Sequence, residues 1–118
     1  MSEEMNDLGK RLFDFAVRVI KFIRTLPATP EYSVIKYQLA KSATSAGANY
    51  EESQAGSSKA DFTNKVRIAL REMRESNYWL RIIKGIEIDT TNSQELNYLI
   101  QESKELKPIL GSIVQKSR

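Results

Sequence analysis

Residues 42–53 read SATSAGANYEES: eight small side chains from Ser42 to Asn49, with Gly47 among them, then a tyrosine and two glutamates. Such a run suits two structures, a flexible loop that cradles a phosphate or a helix surface trimmed for close approach. The flanking residues discriminate between them. Tyr32, Ile35, Leu39, Ala43, Ala46 and Tyr50 recur at steps of three and four, so one helical stripe passes through the run without losing register. A loop has no reason to keep that register. The Gly-x-x-x-x-Gly-Lys-Ser/Thr pattern of a phosphate loop is missing, and a single glycine makes a poor cradle. The stretch therefore reads as helix, starting just after Pro30, with Ala43 and Ala46 at core positions. Gly47 costs about 1 kcal/mol relative to alanine there, a cost offset if a neighbouring backbone comes close. Asn49 is expected to bond across to a neighbouring helix, and Ser42 and Ser45 to serve packing.

The same period extends in both directions. Upstream, Leu8, Leu12, Phe15, Val19, Phe22 and Leu26 form one stripe, and Phe13, Ala16, Val17, Ile20 and Ile23 a second beside it. Together they cover about 220° of the helical wheel, roughly twice what one buried face needs. The excess has two readings: the helix lies centrally in its own chain, or another subunit covers it as well. Because a four-helix bundle has no central helix, the second is preferred, with Phe13, Val17 and Ile20 at an oligomer interface. Downstream, Ser58 and Asp61 have capping-box spacing. Phe62, Val66, Ala69, Met73 and Leu80 form an inner face, and Gly85 is placed to stop the third helix. Asn92 and Glu95 again have capping spacing. The last helix carries Leu96, Leu99, Ile100, Leu106, Leu110, Ile113 and Val114, with Pro108 expected to kink or break it.

The expected architecture is all-α, an antiparallel up-down-up-down four-helix bundle. Its helices span about 6–25, 30–54, 58–84 and 92–116 of one domain, 1–118. No segment alternates long enough to be a strand.

Composition narrows the function. Cysteine and histidine are both absent, which excludes disulfides, Cys/His zinc sites, thiol nucleophiles and imidazole bases. The adjacent Glu51 and Glu52 point about 100° apart on a helix and do not share a substrate atom. Di-iron bundles need Glu-x-x-His, which is missing here. No catalytic residue, metal or cofactor is expected. No apolar run approaches the roughly 20 residues that span a bilayer, and MSEEMNDLGK is acidic where a signal peptide is basic. A cytoplasmic location is the expectation.

The formal charge is only +3, so its placement matters more than its size. Arg67, Arg71, Arg74 and Arg81 fall within about 80° of the third helix's wheel, with Tyr78 among them. Like charges four apart repel unless something anionic neutralises them. Three roles fit: phosphate contacts along a nucleic acid, with the Tyr78 ring available to stack on an unpaired base, ion pairs with Glu51 or Glu52, and subunit contacts. Lys10, Arg11, Arg18 and Lys21 of the first helix form a weaker second basic patch. Tyr78 and Trp79 read as core or interface aromatics rather than a cofactor box.

These residues also carry a resemblance. The small-residue run ending in Ala48, Asn49, Tyr50 and Glu52 is followed by Ser58, Asp61 and Phe62, and then by Ile68 and Ala69. With LFDFAVRVIKFIRTLP at the start, this pattern resembles the 23S rRNA intervening-sequence proteins, also labelled S23 ribosomal proteins. It covers roughly residues 8 to 114, and Pro108 departs from it. The resemblance implies a cytoplasmic bacterial homopentamer of antiparallel bundles, whose ribosomal label reflects gene location. A similar fold is that of the pentameric accessory protein of diversity-generating retroelements, which binds RNA and a reverse transcriptase. Two functions follow as expectations. One is a non-enzymatic, homo-oligomeric bundle that binds RNA or other nucleic acid through basic helix surface. The other is an oligomeric scaffold for a protein partner, with no nucleic acid.

Overall fold

The segment from Thr29 begins as the sequence predicts. Thr29 is extended and its hydroxyl accepts from the Tyr32 amide at 3.3 Å, while Pro30 takes the first helical position, where its missing N–H costs nothing. From there one unbroken helix runs to Ser53 in the computed structural model. The structure describes residues 3–56, 58–87 and 93–118, with residues 3–6 as backbone only. Its helices are α1 (Glu3–Ile23), α2 (Pro30–Ser53), α3 (Lys59–Ile86) and α4 (Ser93–Ser117).

Cross-helix pairs fix the directions. Ser42 bonds Ser76 and Glu52 meets Lys65, so α2 and α3 run antiparallel. Asn77 bonds Ser103 and Thr63 bonds Ser117, so α3 and α4 do as well. Arg11 holds Glu102 and Arg18 holds Glu95, which sets α4 against α1. Each helix packs on two neighbours, in the cyclic order α1, α2, α3, α4, and neither diagonal pair brings its Cα atoms within 8 Å. The result is a four-helix bundle. This overturns the reading of α1 as a central helix: it is one wall among four, flanked by α2 and α4.

The core is the union of the four stripes. Leu12, Phe15 and Val19 of α1 are buried, as are Leu39, Ala43, Ala46 and Tyr50 of α2. Val66, Ala69, Met73 and Leu80 of α3, and Leu96, Leu99, Leu106 and Leu110 of α4, complete it. Each fully buried large side chain contributes about 1.5–3 kcal/mol. Ala43 and Ala46 are wholly buried, so the small residues are core residues and the loop reading is excluded. Changing Ala46 to Leu adds three carbons where packing leaves no room. We expect a loss of about 1–3 kcal/mol in chemical denaturation, whereas the same change at exposed Ala60 leaves the midpoint near wild type.

Gly47 behaves differently from the sequence expectation. Its neighbour is the backbone of α1 at Leu12, but an added Cβ would lie 3.6 Å from the Leu12 carbonyl oxygen, an ordinary van der Waals contact. Packing within the chain does not require glycine here. Gly47→Ala should therefore raise stability by about 1 kcal/mol through helix propensity alone, read as a higher denaturation midpoint.

Three further expectations change. Asn49 bonds within its own helix, donating from Nδ2 to the Ser45 carbonyl at 2.9 Å and to Ser45 Oγ at 3.0 Å, and does not cross to a neighbour. Gly85 does not stop α3, which continues to Ile86 and ends where Glu87 turns extended. Pro108 does not break α4: its ring is exposed, so the lost N–H···O bond to Lys104 faces water. The Ser58 cap forms as expected, its hydroxyl accepting from the Asp61 amide at 3.1 Å. The Asn92 cap lies outside the described residues.

Candidate functional site: a basic seam and an apolar groove

Charge is sorted by seam. The α1–α4 seam is neutral: Arg11 grips Glu102 with two nitrogens, at 3.0 and 2.7 Å, and reaches Glu105 at 3.3 Å. Arg18 holds Glu95 in the same forked way, and its guanidinium lies 3.5 Å from the Tyr98 ring centroid. The Glu102 carboxylate raises the Arg11 pKa, and Glu95 does the same for Arg18, each against a smaller desolvation effect. Lys10 pairs with Asp14 one turn away at 2.8 Å, and exposed Lys21 lies at the rim of a groove described below. The first-helix basic residues are thus not a free patch: two of them bind α1 to α4.

The α3 face is the opposite case. Arg67, Arg71, Arg74 and Arg81 are all exposed. Arg67, Arg74 and Arg81 fall seven residues apart, a nearly straight row with steps of about 10 Å. Among the described residues Arg67 and Arg74 have no carboxylate partner, and Arg71 has only its neighbour Glu72, at 3.9 Å. The ion pair imagined with Glu51 or Glu52 does not form: Glu52 meets Lys65 at 3.7 Å, and Glu51 lines the groove. Tyr78 is 47% exposed, in edge contact with Trp79.

Two residues that the sequence reading passed over join this seam. Asn77, buried in α3, gives its carbonyl oxygen both to Arg81 Nε at 2.9 Å and to Lys107 Nζ of α4 at 3.4 Å. Lys104 is exposed one turn before Lys107. A signal for Asn77 was present: an amide among the buried stripe of Val66, Met73 and Leu80 is polar where apolar is expected. Lys107 became visible only with the α3–α4 register.

On the α2 side of α3, burial pushes the Glu72 carboxyl up from its ordinary value, and nearby Glu75 adds to this, while Arg71 and Lys41 oppose it. A carboxylate whose folded pKa is raised loses stabilisation as pH climbs past its unfolded value. Glu72→Gln should therefore match wild type below pH 4.5 and become the more stable protein at neutral pH. Denaturation midpoints at both pH values check this.

Between α1 and α2 lies an apolar groove of about 780 Å³. Phe13, Ala16, Val17 and Ile20 form one wall, and Thr44, Gly47 and Ala48 the other. Phe13 is 67% exposed, and Val17 and Ile20 are half-buried, so the chain covers the second stripe of α1 only in part. Among the described residues no three Asp or Glu side chains gather to hold a metal, and no helix is long and apolar enough to cross a membrane.

A crystal structure of a protein of unknown function from the S23 ribosomal protein family of Bacteroides thetaiotaomicron VPI-5482 is similar to this chain. The TM-score is 0.79 and the identity 33%, over 91% of this chain and 97% of that one. No curated protein matches the sequence. The model of the 23S rRNA-intervening sequence protein family matches residues 4–112. Family model, neighbour and four-helix fold agree, and the chain belongs to the 23S rRNA-intervening sequence protein family.

Proposed function

We propose that this protein is a non-enzymatic, cytoplasmic homo-oligomer that binds RNA along its α3–α4 seam. The observation that carries this is the sorting of charge: carboxylates neutralise Arg11 and Arg18, while Arg67 and Arg74 on the exposed row have none among the described residues. Arginines in a row without carboxylates suit a polyanion, since each phosphate contact releases condensed counterions. The phosphate contacts are assigned to Arg67, Arg71, Arg74 and Arg81. Arg11 and Arg18 drop out, because their guanidinium forks are already occupied.

Assembly uses the opposite side. The open stripe of Phe13, Val17 and Ile20 is the subunit interface, and a pentamer is the state that the family resemblance implies. α1 and α3 stand at opposite corners of the bundle, so covering the groove leaves the basic row free in every copy.

A labelled, structured RNA titrated across a salt series tests the reading. The affinity should fall linearly on log–log axes, by about one unit of slope per phosphate contact. Affinity that ignores salt would refute it. The size and apolar lining of the groove also fit a second reading, a scaffold seating a protein partner there. A stoichiometric protein in the purified particle, without nucleic-acid absorbance, selects that one.

A further inference from the structure

We infer that Tyr78, Arg81 and Lys107 form a nucleotide subsite that makes the seam prefer unpaired over duplex nucleic acid. This rests on the reading of the seam as a nucleic-acid surface and goes beyond it by naming the strand state that is recognised.

The argument starts at Asn77. Its amide can be oriented only one way: Nδ2 donates to Ser103 Oγ at 2.9 Å and lies 3.5 Å from the Ile100 carbonyl, an atom that only accepts. Ser103 in turn donates to that same carbonyl at 2.9 Å, which leaves its oxygen free to accept. The Asn77 oxygen must therefore face outward, where it accepts from Arg81 and from Lys107. Two cations from different helices converge on one neutral oxygen, and among the described residues neither has a carboxylate. Their mutual repulsion is unrelieved until an anion arrives. Asn77 occupies only the Nε of Arg81, so the terminal nitrogens remain for that anion, along with the remaining donors of Lys107. A phosphate satisfies both.

Beside this pair stands a ring. The Arg81 guanidinium lies 5.7 Å from the Tyr78 centroid, and Trp79 braces the ring edge-on at 5.3 Å and 74°. A phosphate on Arg81 brings its own or the adjoining base over an exposed, braced aromatic face. Base stacking of this kind accepts any base, but only an unpaired one. In a duplex the bases stay in the stack, so the ring gains nothing and only the phosphate contacts remain.

Fluorescence anisotropy with an oligoadenylate of about a dozen nucleotides, a length within the usual range of single-strand sites, tests the subsite. The same strand annealed to oligouridylate is the second probe. The single strand should bind more tightly. Tyr78→Leu should lose about tenfold for the single strand and little for the duplex, and Tyr78→Phe should keep the wild-type preference. Lys107→Gln should weaken both probes and flatten the salt slope by about one unit. Circular dichroism checks that each variant remains helical. Equal, salt-dependent binding of both probes that Tyr78→Leu leaves unchanged overturns the subsite while the seam reading stands. Failure of the wild-type protein to bind either probe overturns both.

Discussion

Replacing Arg67, Arg71, Arg74 and Arg81 together with alanine should flatten the log–log salt dependence of the proposed RNA binding by about three units. Each arginine that meets a phosphate releases somewhat less than one counterion, and the four are assigned one phosphate each. Stability should barely change. All four side chains are exposed, and surface pairs such as that between Arg71 and Glu72, at 3.9 Å, contribute little. The Asn77 amide keeps Lys107, Ser103 and Ile100 as partners when Arg81 is lost. Conversion of Arg11 and Arg18 is expected to do the reverse. It leaves Glu102 and Glu95 without their forked partners and loosens α1 from α4, with little effect on the salt slope.

Phe13→Asp should split the proposed assembly into single chains of 13.5 kDa that remain helical. Phe13 is two-thirds exposed in the isolated subunit, so a carboxylate there is solvated and the bundle retains its own core. In the assembly proposed above the same position would be covered. The interface then loses the burial of a large apolar side chain, about 1.5–3 kcal/mol per copy, and must also desolvate a charge, which costs more still. Val17→Asp and Ile20→Asp should act in the same direction. Both positions are half-buried against the chain's own groove, however, and some of their effect falls on the fold itself.

The bundle was readable because each helix writes its core in its own residues. Ala43, Ala46 and Tyr50 keep step with Ile35 and Leu39 whatever packs against them, and all are buried. The excess stripe on α1 was equally local, and Phe13 stands open as the wheel implies. Pairings between helices were not readable. Arg11 looks like a free cation until Glu102, ninety-one residues away in the chain, arrives beside it. Lys107 looks like any surface lysine until the antiparallel register lays it on Asn77. Asn49 failed for a different reason. Its amide bonds Ser45 one turn back, and that local partner satisfies it without a neighbouring helix.

The basic row and the apolar groove are taken to be separate surfaces, one for RNA and one for subunits. Multi-angle light scattering of the four-arginine variant mixed with RNA, followed at two wavelengths, tests that separation. The particle should keep the protein mass of the wild type and carry far less nucleic-acid absorbance. A fall to 13.5 kDa would place the arginines in subunit contacts and contradict the account.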